Sequence, residues 1–264
     1  MTDTSQPPVP HNESAAGGSI EPLAASVPAP VPFDLEGLTR RDALLDVGIL
    51  LTVLLVPRAP RLLELALGLR VPGVPANSVE VFTRWCGAAL FVAFLTYFTL
   101  RHRLSAASFG VRTDCLASQV SWGAIAFVAD CIWEYGVGST LRGWLSSTLP
   151  ELIAEDARGG RNSHMPSSAL FLLLWWLPGA IWEETAYRGL MLPYLRRVLG
   201  GWGGAVAISA VLFGIGHLPQ GVVHAFMAAG AGVIYAIVFI RSRSLLAVII
   251  AHATFNFWLF YRPA

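Results

Sequence analysis

From Ser168 onward the chain runs for 97 residues with two acidic side chains, Glu183 and Glu184, adjacent within the apolar run FLLLWWLPGAIWEETAYRGL. No other feature restricts the fold so much. A water-facing surface needs charge spread over it, and a soluble domain carries roughly 25% charged residues. This chain has 13%, against 55% hydrophobic residues. Apolar runs recur with helical lengths along most of it, so the expected fold is all-α: a polytopic transmembrane helical bundle of about seven helices. Ionisable residues forced into such a bundle face inward and line a polar intramembrane cavity.

The rest of the composition narrows the partners. A net charge of +1, from 18 basic and 17 acidic residues, creates no field to recruit nucleic acid. Every basic residue is Arg and none is Lys, which removes Schiff-base and P-loop chemistry. Cys86, Cys115 and Cys131 form no CxxC, so neither a disulfide framework nor a thiolate zinc site is expected.

Residues 1–39 read as a disordered, Pro-rich cytoplasmic tail, with seven of the 17 prolines in the first 37 residues amid Ser, Ala and Gly. Residues 40–137 read as N-terminal transmembrane helices, 138–167 as a polar loop in water, and 168–264 as a second transmembrane domain, the one that holds the two glutamates. Helices are expected near 43–57, 84–100, 116–137, 168–194, 202–218, 222–240 and 244–261. The stretch 59–69 (APRLLELALGL) is too short to span and reads as interfacial. Arginines cluster at Arg40/Arg41, Arg101/Arg103/Arg112, Arg196/Arg197 and Arg241/Arg243, in alternate loops. The positive-inside rule then places the N-terminus in the cytoplasm of a cell whose inner (plasma) membrane holds the chain. Arg58, Arg61 and Arg70 count against that orientation, partly offset by Glu64 and Glu80.

Two carboxylates near the middle of an apolar helix are costly, about 2.5–3.5 kcal/mol for one charge at a helix centre. Arg188 follows Glu184 by four residues, on the same helical face, where an ion pair forms. Glu183 lies about 100° further round with no cation on its own face, available as a general base. Downstream come His217 in FGIGH, His224, and His252 with Asn256 in HATFN, four residues apart on one helix face. His224 is separated from His217 by Pro219 and Gly221 and reads as a packing or interfacial residue. Asp130 and Glu134, with no imidazole close in sequence, read as structural, and Trp175, Trp176 and Trp182 as packing and interface anchors.

Two chemistries fit a carboxylate, two imidazoles and an amide on three helices. In one, Glu183 takes a proton from water with His217 orienting it, while His252 and Asn256 donate hydrogen bonds to the oxyanion of an attacked amide. In the other, Glu183, His217 and His252 are ligands of Zn2+ and Glu184 is the base. Both hydrolyse a peptide bond. No nucleophile motif of Ser or Cys and no HExxH is present.

EETAYRG, FGIGH and HATFN, in that order on successive hydrophobic helices, resemble the EExxxR, FxxxH and HxxxN motifs of the CPBP family. These are the CAAX-processing and bacteriocin-processing (Abi) intramembrane endopeptidases, similar to type II CAAX prenyl proteases. The resemblance covers residues 168–261, with Tyr187 where the family commonly has Phe. It implies that Glu183 and His217 activate water, that His252 and Asn256 stabilise the oxyanion, and that Glu184 and Arg188 are the supporting ion pair. It also implies a peptide or protein substrate at the lipid bilayer. A metal-free glutamate mechanism is favoured because Asn256 serves better as a hydrogen-bond donor than as a zinc ligand. The Arg-only, loop-poor chain reads as bacterial, which favours a bacterial peptide or membrane protein over a prenylated substrate. The competing reading is a non-catalytic membrane protein for bacteriocin immunity or scaffolding that uses the same cavity. A proton-coupled transporter is a third, weakened by the lack of paired repeats.

Overall fold

A computed structural model of the chain describes residues 38–59, 76–112, 114–154 and 169–260. The Pro-rich segment 1–37, nearly all of the 59–69 stretch and the end of the 138–167 segment lie outside the described residues. Among the described residues every regular element is helical and there is no strand.

Thr39 opens helix α1 (Arg40–Leu55): its hydroxyl oxygen accepts the Asp42 N–H at 3.1 Å, satisfying one of the orphan donors of the first turn. Ala43, Val47, Leu50 and Leu54 recur at helical spacing and bury one face. Asp46 shares that face and meets Nε2 of His102, at 3.2 Å, from the end of α2 (Ala76–His102). Pro57 closes α1 in a single tight turn, Val56–Arg58.

Helix α3 (Leu116–Cys131) continues through a widened π turn, Ile132–Gly138, into α4 (Ser139–Thr148). The expected loop from residue 138 is therefore helical in its first part. The reason is local: the Thr140 hydroxyl donates to the Gly136 carbonyl at 2.9 Å and that of Thr148 to Trp144 at 2.9 Å, so the helix itself satisfies these polar side chains. Helix α5 (Ala169–Glu184) passes through a second π turn, Thr185–Met191, into α6 (Leu192–Leu199), which ends at Gly200. Then follow α7 (Trp202–Ile215), α8 (Val222–Ser242) and α9 (Leu245–Phe260).

Helix α7 lies along α8, α6 packs on α7 and α1, and α9 is held between α3 and α5. A Cβ on Gly214 would stand 2.6 Å from the Ala225 carbonyl oxygen, so only glycine allows α7 to come this close to α8. Gly230 makes room for Trp133 of the π turn, whose indole N–H donates to the Met227 carbonyl at 2.8 Å. Ser244 and Gln119 (2.6 Å) join the start of α9 to the start of α3. In the loop before α3, Arg112 grips Asp114 with two hydrogen bonds (3.0 and 2.6 Å), which holds that carboxyl below its usual range.

The described interior is apolar but encloses several ionisable side chains, and many large apolar side chains face outward, unlike the surface of a water-soluble protein. Asp46, Asp130, Glu184 and Arg188 are buried, while Trp85, Val92, Leu100, Ile132 and Trp258 face outward. Two helical stretches, Leu116–Thr148 (33 residues) and Val222–Ser242 (21 residues), are long and apolar enough to cross a membrane. Helix α7 has only 14 residues and stops short of the expected 218, because the chain turns at Gly216 and enters the tight turn Leu218–Gln220. His217 sits at that break.

Candidate active site

The two adjacent glutamates occupy different environments. Glu184 is fully buried, whereas the Glu183 side chain keeps 16% of its surface exposed. The Glu184 Oε1 atom accepts from Nη1 of Arg188 at 2.9 Å, the ion pair that the four-residue spacing anticipates. The second Arg188 nitrogen, Nη2, donates to the Gly232 carbonyl of α8 at 3.2 Å. The guanidinium lies over the rings of Phe213 (4.6 Å) and Tyr235 (5.4 Å), so its charge is neutralised and its faces are covered. The π turn immediately after Glu184 carries Arg188, and such widened turns gather at functional sites.

The same Glu184 oxygen also takes the Nδ1 side of His252, at 2.7 Å across from α9. Glu184 is thus more than a partner for Arg188: it fixes the ring of His252, as a carboxylate behind a working histidine does. With Nδ1 turned inward, Nε2 points toward Glu183 and stands 3.9 Å from its Oε2. His252 is stacked on Tyr235 (centroids 5.5 Å apart), and the Tyr235 hydroxyl donates to Asp130 of α3. Asp130, expected to be structural for want of a nearby imidazole, stands one ring away from His252. Its sequence distance hid this contact. Glu134 takes no part and pairs with Arg142 at 2.7 Å.

His217 donates its Nδ1–H to the Phe213 carbonyl at 2.8 Å, which leaves Nε2 as the side that can accept a proton. Its ring packs on Phe213 (4.6 Å), and Phe213 also lies 6.1 Å from His252, so one phenyl ring separates the two imidazoles. The His224 ring packs 5.7 Å from that of His217, at the edge of the cluster. The tight turn at Pro219 and Gly221 produces this, by folding α8 back alongside the end of α7. Tyr187 uses its hydroxyl on the Leu212 carbonyl at 3.4 Å and packs edge-on against Phe213. Asn256 lies one turn beyond His252 on α9, half-buried, and makes no hydrogen bond with either glutamate or either imidazole.

Sequence spacing left Glu183 without a cation on its own helix, but a different helix supplies one. Arg58, at the end of α1, places Nη2 3.6 Å from Glu183 Oε1. Its guanidinium also covers the Trp182 ring at 5.0 Å, and its Nη1 donates to the Leu54 carbonyl at 2.8 Å. The three residues named as alternative zinc ligands, Glu183, His217 and His252, do not converge as a donor set. Among the described residues no group of three His, Cys, Asp or Glu side chains is gathered closely enough to hold an ion.

Among the described residues, an all-helical fold thus sets a partly exposed carboxylate beside an imidazole edge, next to a sealed Glu–Arg pair. Residues 165–258, just over a third of the chain, match the family of type II CAAX prenyl endopeptidase, Rce1-like proteins. The resemblance resting on the three motifs is thereby shown, and the family is one of proteases. No curated protein and no solved structure matches the chain.

Proposed function

We propose that the chain is a multi-pass intramembrane endopeptidase of a bacterial inner (plasma) membrane, with its N-terminus in the cytoplasm. One observation supports this reading above the others: of two adjacent glutamates, one is sealed beneath an arginine and a histidine, while the other is open and faces an imidazole edge. Structural ion pairs account for the first. They do not account for the second. The outward apolar side chains and two spanning-length helices support a place in lipid. Arg58, counted against a cytoplasmic N-terminus, is turned into the interior, which leaves the alternate-loop arginines a stronger case.

The mechanism that best uses the geometry is a glutamate-type hydrolysis. Glu183 takes a proton from water, with His217 Nε2 accepting a hydrogen bond from the same water. The hydroxide adds to the amide carbon, and the carbonyl oxygen becomes an oxyanion. His252 and Asn256 donate to it, His252 through Nε2 as an imidazolium whose Nδ1–H is held by Glu184. The intermediate collapses as the C–N bond breaks, and Glu183 returns its proton to the departing amine. The substrate is a peptide or protein presented at the membrane, and no prenyl group is required by any residue of the site.

The test compares new peptide termini in membranes from cells making wild-type protein and Glu183→Ala at matched levels. Termini present only with wild type support the reading and name the substrate. Identical termini in both refute it. Metal analysis and chelator titration of the purified protein decide between this mechanism and a zinc-dependent one.

A further inference from the structure

We infer that Arg58 is a positioning residue for Glu183, so that helix α1, far outside the segment that matches the protease family, completes the active site. This rests on the reading of Glu183 as the general base. The two arginine–glutamate pairs of the interior differ in kind. Arg188 and Glu184 are sealed, with 1% and 0% of their side chains exposed, and such a pair holds structure. Arg58 and Glu183 are open, with 21% and 16% exposed, and their 3.6 Å separation is long for a pair that exists to hold helices together.

An open pair between flexible chains contributes little, but Arg58 is not flexible. Its Nη1 is tied to the Leu54 carbonyl at 2.8 Å, and its planar group lies on Trp182 at 5.0 Å. Trp182 is in turn held edge-on by Phe91 of α2, with centroids 5.7 Å apart. The tight turn Val56–Arg58 that ends α1 carries the guanidinium, which meets the residue before Glu183. The remaining nitrogen, Nη2, is therefore aimed at Oε1 by a fixed scaffold.

The consequence for Glu183 is geometric. Its Oε1 lies 3.6 Å from Arg58 on the α1 side and its Oε2 stands 3.9 Å from His252 Nε2 on the α9 side. A guanidinium beside one oxygen and an imidazole beside the other favour one orientation of the carboxylate about its terminal torsion, a soft and nearly two-fold one when nothing biases it. A base that must take a proton from one particular water and return it to one particular nitrogen needs that restraint. Lysine keeps the charge on a similar reach, whereas glutamine does not.

The experiment uses isolated membranes containing the full chain as wild type, Glu183→Gln, Arg58→Gln, Arg58→Lys or Arg58→Ala at matched protein levels. The readout is the rate of appearance of Glu183-dependent new termini. The expected result is a loss of about 10- to 100-fold in Arg58→Gln, substantial recovery in Arg58→Lys, and partial recovery of Arg58→Ala on adding guanidinium chloride. A merely structural role predicts neither form of recovery at matched protein level. Wild-type rates in Arg58→Gln overturn the inference and leave the protease reading intact. A chain with no Glu183-dependent termini at all overturns both. If Arg58→Gln fails to accumulate, Arg58→Met carries the same comparison, its uncharged chain being suited to an apolar site.

Discussion

Removing the Glu184 carboxylate separates the structural and chemical roles of the buried centre. Glu184 Oε1 receives both Arg188 (2.9 Å) and His252 (2.7 Å), and the three side chains are almost wholly excluded from the surroundings. Glu184→Leu leaves the Arg188 guanidinium buried without a counter-ion, and Arg188→Leu does the same to the Glu184 carboxylate; each costs about 3–5 kcal/mol. Against a typical total stability of about 5–15 kcal/mol, that sharply lowers the midpoint of unfolding and the yield. In Glu184→Leu/Arg188→Leu both charges go together, and an apolar pair of similar volume is expected to restore stability to within about 1–2 kcal/mol of wild type. The coupling in that double-mutant cycle is then about 4 kcal/mol or more. Catalysis does not return with stability, because His252 has lost the carboxylate that directs its Nε2 toward Glu183. The assay is denaturant unfolding of the purified chain in nanodiscs, paired with the count of Glu183-dependent termini in membranes. Single variants that lose less than about 1 kcal/mol would refute the buried-pair reasoning. A stable double variant that cleaves at the wild-type rate would refute the role of Glu184 behind His252.

Two further substitutions probe the packing around that centre. Tyr235→Phe strands the buried Asp130 carboxylate, whereas Asp130→Asn leaves an acceptor for the Tyr235 hydroxyl; unfolding measurements should show Tyr235→Phe losing more, by about 1–3 kcal/mol, while folded Tyr235→Phe still cleaves because the ring on His252 remains. Gly230→Ala places a Cβ 2.1 Å from the Trp133 indole, a clash that must break the 2.8 Å bond to Met227. The expected loss is about 1–3 kcal/mol, and Trp133→Ala in the same chain should remove most of the extra penalty; an additive double variant would show that the two residues do not meet.

The helices and the core of the site were legible in the sequence for a single physical reason. Where charge is scarce, each ionisable residue inside an apolar run must have a partner, and a partner on the same helix lies three or four residues away. Glu184 with Arg188 obeys that rule, and the pair is found where the spacing puts it. The apolar runs themselves are as plain, since α5, α7, α8 and α9 follow the stretches between arginine clusters and turn glycines. What the spacing could not carry were the contacts between helices distant in sequence. His252 with Glu184 is 68 residues apart, Tyr235 with Asp130 is 105, and Arg58 with Glu183 is 125 (183 − 58). Asp130 was assigned to structure for want of an imidazole close in sequence, and Arg58 was counted only in the charge balance of the loops. The same scarcity argument, applied across helices rather than along them, connects both to the site. The buried carboxylate on α3 ends on Tyr235, whose ring stacks on the His252 that meets Glu184, and the arginine after α1 ends beside Glu183. Charges that must be buried are most readily buried together, and that shared burial draws helices from both halves of the chain around Glu183 and Glu184.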